Sequence, residues 1–292
     1  MSDSAQQSSQ MRGIGFMVAS GLVLTVSDAV TKWLTDGYPV GQIMAIRAVF
    51  TLIPILVFAW QAGGLSSLRI GNLRLQCLRA ACAVSSGFFF VSGLNYLPLA
   101  DSIALAFSGP LFVTAMAAPM LGERVGWRRW GAVIVGFVGI LVILRPTSDA
   151  VRWFAFLPVA AAACGSLRDI ITRKIRTSDS PVAILAVTNA AVALAGLSTL
   201  PFGWQPVATE DLALMATAGV LIGIAQYLMI QAFHLAEASL VIPFKYVSLI
   251  WGTLFGFLVW GDVPDVWVIS GALLVVASGL FIMYRETRLH RR

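Results

Sequence analysis

The stretch GAVIVGFVGILVILR at residues 131–145 returns as GALLVVASGLFIMYR at residues 271–285. In each copy two glycines lie eight residues apart and an arginine ends the apolar run, and the copies are 140 positions apart. That separation is about half of the 292-residue chain. The sequence therefore predicts that the second half of the molecule repeats the first.

Further correspondences follow in the same order along the chain. SDAVTKWL from Ser27 aligns with RDIITRKI from Arg168, which pairs an acid, a threonine and a base of one half with those of the other. The pairs are Asp28 with Asp169, Thr31 with Thr172, Lys32 with Arg173, and the prolines Pro39 with Pro181. LADS at 99–102 matches LAEA at 235–238, and LGERV at 121–125 matches WGDVP at 260–264. Because these matches keep their order, the repeat covers nearly the whole chain.

The composition indicates a protein embedded in a lipid bilayer. Hydrophobic residues make up 58% of the chain and charged residues 12%, whereas an ordinary soluble domain carries about 25% charged residues. The net charge of +6 does not indicate nucleic acid binding, because the basic residues lie in short loops and not on one solvated face. The first ten residues lack the basic region of a cleavable signal, so the apolar run from Gly13 is interpreted as a retained first helix.

Spans of about 20 apolar residues are expected to cross the bilayer as helices. The predicted spans are residues 13–34, 40–60, 75–96, 101–121, 127–145, 153–173, 181–200, 212–234, 239–260 and 266–285. This gives an all-α polytopic membrane protein with ten transmembrane helices, five in each half.

Basic residues in the connections predict the orientation. With the N-terminus inside, thirteen arginines and lysines fall in inner segments, and only Arg145 and Arg152 fall in outer loops. This asymmetry places both termini in the cytoplasm. The predicted segments are an N-terminal tail at 1–12, a first repeat at 13–145, a linker at 146–152, a second repeat at 153–285 and a basic tail at 286–292. Five spans per repeat make the repeats inverted, as in many secondary transporters.

The arrangement resembles the EamA-type drug/metabolite transporter superfamily, and within it the exporters of amino acids, including aromatic ones. The resemblance rests on Pro110 inside the fourth span, the LGERV turn, the glycine-spaced fifth span, and the bases Lys32 and Arg47. It implies a ten-helix inverted 5+5 fold and export of small solutes. The chain has Asp262 where the superfamily has a glutamate after the ninth span.

Two acids inside predicted spans have a base four residues later, namely Asp28 before Lys32 and Asp169 before Arg173. Residues four apart share one face of a helix. Two interpretations are open. Symmetry-related ion pairs could fix helix ends, or the four residues could form a gate or carry a coupling proton as access alternates. A neighbouring base opposes the pKa rise that coupling needs, so gating is favoured over coupling.

Lys245 is the strongest candidate for binding a solute. It lies about seven residues into the ninth span, and Val241 and Leu249 occupy the positions four residues away, so no acid of its own helix can pair with it. An amino group at that depth is expected to face water or an anion, unless it extends to the cytoplasmic interface. Four neighbours complete the predicted site: Phe244, Tyr246, Ser248 and Trp251.

Arg47 lies about eight residues into the second span, and its counterpart by position in the second repeat is Asn189. Arg47 either faces the cavity or pairs with Asp28 or Asp36. The resemblance suggests that the third, fourth, eighth and ninth spans line the cavity, which adds Phe107, Gln226 and Tyr227 as candidates. Pro110 and Pro243 lie in the two repeat-related helices, and each proline is expected to kink its helix and free carbonyl groups.

The sequence lacks the motifs that several classes of enzyme require. No GxxxxGK[ST], HExxH or GxSxG motif occurs, and the only histidines are His234 and His290, so we expect neither an enzyme nor a bound cofactor or metal. Cys77, Cys82 and Cys164 are expected to be small buried residues. The leading hypothesis is a secondary exporter of small metabolites, most plausibly amino acids, in the inner (plasma) membrane, with a solute and the bilayer as partners and no oligomer required. The alternatives are an exporter of drugs or lipophilic cations, a channel and a membrane sensor.

Overall fold

The computed structural model describes residues 3–61, 64, 70–121, 126–145, 153–175, 179–236 and 238–290, with the side chains of 3–8, 61, 117–118, 121, 173, 238–239 and 286–290 left out. All regular structure in these residues is helical. The α-helices are α1 (Asp3–Thr35), α2 (Val40–Gln61), α3 (Leu73–Tyr96), α4 (Leu99–Ala106), α5 (Gly109–Leu121), α6 (Trp127–Leu144), α7 (Phe156–Ile175), α8 (Pro181–Leu197), α9 (Thr209–Leu235), α10 (Ala238–Val241), α11 (Val247–Trp260) and α12 (Val266–His290). Short 3₁₀ helices cover Leu200–Phe202 and Ile242–Tyr246.

Several helices begin at a polar residue that caps them. The Asn72 side chain accepts a hydrogen bond from Leu75 N at the start of α3, and the Ser180 hydroxyl accepts one from Ala183 N at the start of α8. Asp265 accepts from two backbone N–H groups of the first turn of α12. Such caps satisfy donors that have no partner inside the helix.

Eight helical segments of the described chain are long and apolar enough to cross a membrane. They are Ser9–Thr35, Val40–Trp60, Leu73–Tyr96, Leu99–Met116, Trp127–Leu144, Thr209–Leu235, Ile242–Trp260 and Val266–Arg285. Pro181–Leu197 is apolar but shorter, and α7 carries four charged residues at its C-terminal end. The all-helical membrane fold is therefore confirmed, while the count of ten crossings and the cytoplasmic termini stay predictions.

Helices of the two halves pack in matching pairs. The most extensive packing joins α1 to α9, α3 to α7, α6 to α12 and α2 to α8. The repeat aligns α1 with α7 and α3 with α9, so the α1–α9 pair corresponds to the α7–α3 pair. The pairs α2–α9 and α8–α3 correspond in the same way. Each half thus buries its helices largely against the other.

Glycines set the closest approach between α6 and α12. A Cβ atom on Gly139 would lie 2.8 Å from the Gly271 carbonyl oxygen, and one on Gly271 would lie 2.6 Å from that of Gly139. Small residues at a membrane helix interface let two backbones touch. These two glycines come from the repeated stretch that begins at Gly131 and Gly271.

We name the two ends of the molecule by the predicted orientation, with the outer end where α1 finishes and the inner end where α1 begins. At the outer end the Tyr38 hydroxyl donates to Asp211 Oδ2 (2.6 Å) and accepts from Ala208 N (3.2 Å). The hydrogen bond to Asp211 is the main cause that raises the pKa of Tyr38. At the inner end the Ser9 hydroxyl donates to the Leu235 carbonyl (2.8 Å).

The cysteine prediction is only partly right. Cys82 is buried and Cys164 is half-buried, but Cys77 is exposed near the start of α3. The expected burial of Cys77 was wrong because an apolar stretch in a membrane protein includes a face turned away from the other helices. Residues 122–125 of the LGERV turn, the linker at 146–152 and the side chains of the tail at 286–292 lie outside the described part of the chain.

Candidate functional site

Two apolar segments are interrupted beside the predicted prolines. The helix α4 ends at Ala106 and α5 begins at Gly109, with Pro110 as its second residue. In the other half, Pro243 is the second residue of the 3₁₀ helix that separates α10 from α11. A proline has no N–H to donate to the preceding turn, so each break leaves backbone carbonyl groups without their usual helical partner.

The two breaks meet inside the molecule. Phe107 lies at the first break and Tyr246 ends the 3₁₀ helix, and their ring centroids are 4.8 Å apart. Tyr246 is buried, and its hydroxyl occupies the space next to Gly279 of α12 where a Cβ atom would otherwise lie. The hydroxyl has no hydrogen-bond partner among the described residues. The site where the fourth and ninth segments cross is thus aromatic and contains an unsatisfied polar atom.

Lys245 lies on the same 3₁₀ helix and its side chain is exposed. The charges of Asp169 and Arg168 on α7 act on its amino group. Those two residues form an ion pair, with Arg168 Nη2 2.8 Å from Asp169 Oδ1 and more than a third of each side chain exposed. Lys245 itself makes no ion pair with a described residue. The 3₁₀ helix and α7 thus carry a base and an ion pair whose side chains are at least partly exposed.

A second polar cluster lies between α1 and α2. Arg47 is 9% exposed, and its Nη1 donates to the Thr31 hydroxyl (2.8 Å) while its Nη2 contacts Met44 Sδ (3.2 Å). Asp28 is half-buried one turn before Thr31, and the charge of Arg47 acts on its carboxylate. Arg47 is therefore held inside the bundle by a neutral hydroxyl and by the field of one acid.

Arg79 of α3 forms the corresponding cluster on α7. Its Nε donates to the Thr172 hydroxyl (2.7 Å), and its Nη1 contacts the Thr188 hydroxyl and the Ile184 carbonyl (3.4 Å). Asp169 and Arg168 act on its charge. The sequence interpretation assigned no role to Arg79, although a base inside a predicted span is itself a signal of function.

The two clusters share one pattern. Thr31 and Thr172 are repeat-related, each receives a hydrogen bond from a guanidinium, and each follows an aspartate by three residues. The arginine comes from α2 in one cluster and from α3 in the other. Sequence alignment pairs the acids and threonines, but the two arginines have no common position in the repeat.

Lys32 does not pair with Asp28, as one interpretation of their spacing expected. Its amino group donates to the carbonyls of Leu94 (3.0 Å) and Leu97 (2.7 Å) and lies 5.3 Å from the centroid of a Trp260 ring. The last carbonyls of a helix lack intrahelical partners and carry the negative end of its dipole. We call this set of contacts of Lys32 the outer latch.

The predicted pair of Asp169 with Arg173 cannot be described, because the Arg173 side chain lies outside the described residues. Asp169 instead pairs with the adjacent Arg168. An acid and a base that are neighbours along the helix, and not four residues apart, thus form the ion pair at this position.

The remaining candidates lie in packed positions. Phe244 packs against the buried cluster of Met17, Ala232 and Val241, and Ser248 is buried against Gly21 of α1. Tyr227 stacks on Phe58 of α2 at 4.4 Å. Trp251 Nε1 and Gln226 Oε1 are buried without a hydrogen-bond partner among the described residues. Phe244, Ser248 and Tyr227 therefore join helices, whereas the last two present polar atoms that a solute or water would satisfy.

No group of three or more histidine, cysteine, aspartate or glutamate side chains that could hold a metal ion occurs in the described part of the chain. The side chains described at the crossing and on the 3₁₀ helix are aromatic and charged, which suits recognition of an organic molecule.

Comparisons with known proteins point to one family. Residues 11–145 match the family described as EamA-like transporter family. A riboflavin transporter from Rhizobium johnstonii is 32% identical over 289 residues, which cover 96% of this chain and 93% of that protein. An S-adenosylmethionine uptake transporter from Rickettsia bellii is 25% identical and covers 94% of each chain.

The fold is shared with a solved structure. A crystal structure of a protein 20% identical to this chain superimposes with a TM-score of 0.65 and covers 95% of this chain and 97% of the other. At that identity the likeness shows the common fold alone.

Proposed function

Since the chain belongs to the EamA-like transporter family and is a multi-pass membrane transporter of small molecules, we propose a chemical class for its solute. The proposed solute is a planar heteroaromatic metabolite of riboflavin's chemical class. The observation that carries the proposal is the 32% identity to a riboflavin transporter along nearly the whole of both chains. The S-adenosylmethionine transporter also carries, by its name, a solute with a fused heteroaromatic ring.

The crossing of the two interrupted helices suits such a solute. The rings of Phe107 and Tyr246 offer an aromatic surface there, and flat rings stack on aromatic side chains. Lys245 and the Arg168–Asp169 pair supply charged donors and an acceptor on the exposed side of the 3₁₀ helix. In the proposed complex the ring lies against Phe107, and the polar chain of the solute extends toward Lys245.

Transport is proposed to proceed by alternating access between two inverted repeats, residues 13–145 and 153–285. The matching helix pairs and the two aspartate–threonine–arginine clusters support this proposal. So does a difference between the two ends of the molecule. At the outer end Lys32 joins α1 to α3, whereas the repeat-related helices α7 and α9 do not pack comparably among the described residues.

The glycines of the repeated stretch show the same difference. Gly139 and Gly271 touch toward the outer end, but a Cβ atom on Gly131 would meet no atom within 4 Å. We infer that the structure is a state that is closed at the outer end and open at the inner end. In the other state Arg173 would join the end of α9 as Lys32 joins the end of α3, which makes Lys32 and Arg173 the proposed gate residues.

Amino acids are the second candidate class. Lys245 and Asp169 are exposed side chains of opposite charge, and a zwitterion presents a carboxylate and an ammonium group that would suit them. Export of amino acids, which the sequence favoured, rests on these two opposite charges alone. A lipophilic cation would be repelled by the positive charge of Lys245. A channel differs from a carrier because its flux does not saturate with solute concentration.

Uptake into proteoliposomes tests the proposal. The purified chain is reconstituted, and uptake of labelled riboflavin, S-adenosylmethionine and a panel of amino acids is compared with that of empty liposomes. We expect saturable riboflavin uptake that unlabelled riboflavin on the opposite side accelerates and that amino acids do not inhibit. Saturable uptake of amino acids without riboflavin uptake would reassign the solute, and flux without saturation would indicate a channel.

A further inference from the structure

A small cavity lies where α6 begins and α12 nears its end. It is lined by Gly126, Trp127, Arg128, Arg129 and Arg285, and its volume is about 130 Å³. A water molecule takes about 30 Å³ of liquid, so the cavity holds a group the size of a phosphate. It lies apart from the crossing of the interrupted helices and takes no part in the proposed solute site.

Every side chain that lines the cavity is basic or aromatic. Arg128 is exposed and its guanidinium lies 5.3 Å from the Trp127 ring, while Arg129 is buried at 7% exposure and Arg285 is half-buried. Three guanidinium groups therefore line the cavity, and together they favour an anion.

The backbone adds to this preference for an anion. The residue that caps α6 is Gly126, which has no side chain to accept hydrogen bonds from the first turn. The N-terminal N–H groups of a helix and the positive end of its dipole favour a phosphate or carboxylate. The cavity opens beside this terminus of an 18-residue helix.

The outer end of the same helix pair shows the contrast. There Arg145 forms an ion pair with Asp265, the residue that caps α12. The repeat aligns Arg145 with Arg285, and the described residues that line the cavity beside Arg285 include no acid. An anion from outside the chain would lie beside Arg285 as Asp265 lies beside Arg145.

Aromatic residues place the cavity at the membrane surface. Trp127 is 78% exposed and Tyr284 is 52% exposed, and these two residue types are enriched where helices leave the hydrocarbon. Basic pockets between helices at this level bind the head groups of anionic lipids. We propose that this cavity binds the phosphate of an anionic phospholipid such as phosphatidylglycerol, held between the guanidinium groups of Arg128, Arg129 and Arg285.

Native mass spectrometry of the full chain in detergent tests the site. Phosphatidylglycerol is titrated onto the wild type, onto Arg128→Gln/Arg285→Gln and onto the control Arg12→Gln/Arg74→Gln, which removes two exposed arginines near the inner end at an equal change of charge. We expect at least about tenfold weaker binding in the first variant, since two charge-assisted contacts are lost, and less than about twofold in the control. If the first variant does not fold, Arg128→Gln alone, whose side chain is exposed, is expected to weaken binding in the same direction.

Three results would overturn the proposal. Equal losses in both double variants would show that only overall charge matters. Equal binding of phosphatidylcholine would remove the role of a net anionic head group. Displacement of the lipid by millimolar inorganic phosphate would assign the cavity to a free phosphate ion and not to a lipid.

Discussion

Lys245 places an amino group on an interrupted stretch of an apolar segment, exposed and without an ion pair among the described residues. If it binds the polar chain of the solute, Lys245→Gln removes a charged donor and keeps much of the side chain's length. A hydrogen bond to a charged group contributes about 1.5 to 3 kcal/mol, so the KM for uptake should rise by about tenfold or more. Uptake at varied solute concentration in proteoliposomes measures this.

Lys174→Gln is the matched control, because Lys174 is also exposed but lies at the inner end of α7. Its KM should stay within about twofold of the wild type. An unchanged KM in Lys245→Gln would exclude Lys245 from the solute site.

The outer latch gives a second prediction at this scale. In Lys32→Met the carbonyls of Leu94 and Leu97 lose their donor, so the outer end should open more often. Amide hydrogen exchange over residues 94–105 should become at least about threefold faster, since a lost hydrogen bond of about 1 kcal/mol changes an opening equilibrium by roughly that factor. Lys32→Arg keeps a donor and should exchange at nearly the wild-type rate, and equal exchange in all three proteins would contradict the latch.

The partners of the polar residues could not be predicted from the sequence. The four-residue spacing of Asp28 and Lys32 is compatible with an ion pair, but Lys32 reaches the end of α3, more than sixty residues away in sequence. Arg79 pairs with Thr172 of the other half. Such partners depend on how the helices pack, and a periodic pattern within one helix contains no information about that packing.

Among the elements, the contact between α6 and α12 can be tested with an internal control. A side chain on Gly139 would overlap the Gly271 backbone, whereas one on Gly131 of the same helix would enter open space. Overpacking of a tight contact costs about 1 to 3 kcal/mol. Gly139→Val should therefore lower the thermal unfolding midpoint in detergent by several degrees, and Gly131→Val should leave it within about a degree.

Equal midpoints for the two valine variants would contradict the close packing of these helices. A lowered midpoint in Gly131→Val alone would place the contact at the inner end. Both variants add the same side chain to the same helix, so differences of helix propensity cancel.

Predictions of whole elements were closest where the local signal is strong. α3 and α8, which Asn72 and Ser180 cap, begin at Leu73 and Pro181, within two residues of the expected starts at 75 and 181. The fourth span, expected as one helix from 101 to 121, is instead two helices with a break beside Pro110. The proline located that break, but the 3₁₀ geometry around Pro243 also depends on contacts such as that of Tyr246 with Phe107, which sequence patterns do not contain.

At the scale of the whole molecule, the two ends differ although the sequence repeats. The outer end has the latch, the Arg145–Asp265 pair and the contact of Gly139 with Gly271. At the inner end Lys245 and Asp169 are exposed. If the two repeats exchange their conformations as proposed, the outer contacts of this state define what the inner end forms in the other.

The proposed orientation and the proposed inward-open state make one joint prediction. In a background without Cys77, Cys82 and Cys164, a cysteine introduced by Lys245→Cys should react with a membrane-impermeant thiol reagent in inside-out vesicles and hardly in right-side-out vesicles. Phe202→Cys is the matched control, since Phe202 is 81% exposed in the connection between α8 and α9 at the predicted outer end, and its labelling should show the opposite preference. Labelling of Phe202→Cys from the inside would refute the orientation, and labelling of both positions from the outside would refute the inward-open state. Both proposals stand if Lys245→Cys reacts only from the inside and Phe202→Cys only from the outside. This is the expected result, because an open inner end exposes the 3₁₀ helix to the cytoplasm while the outer latch closes the route from outside.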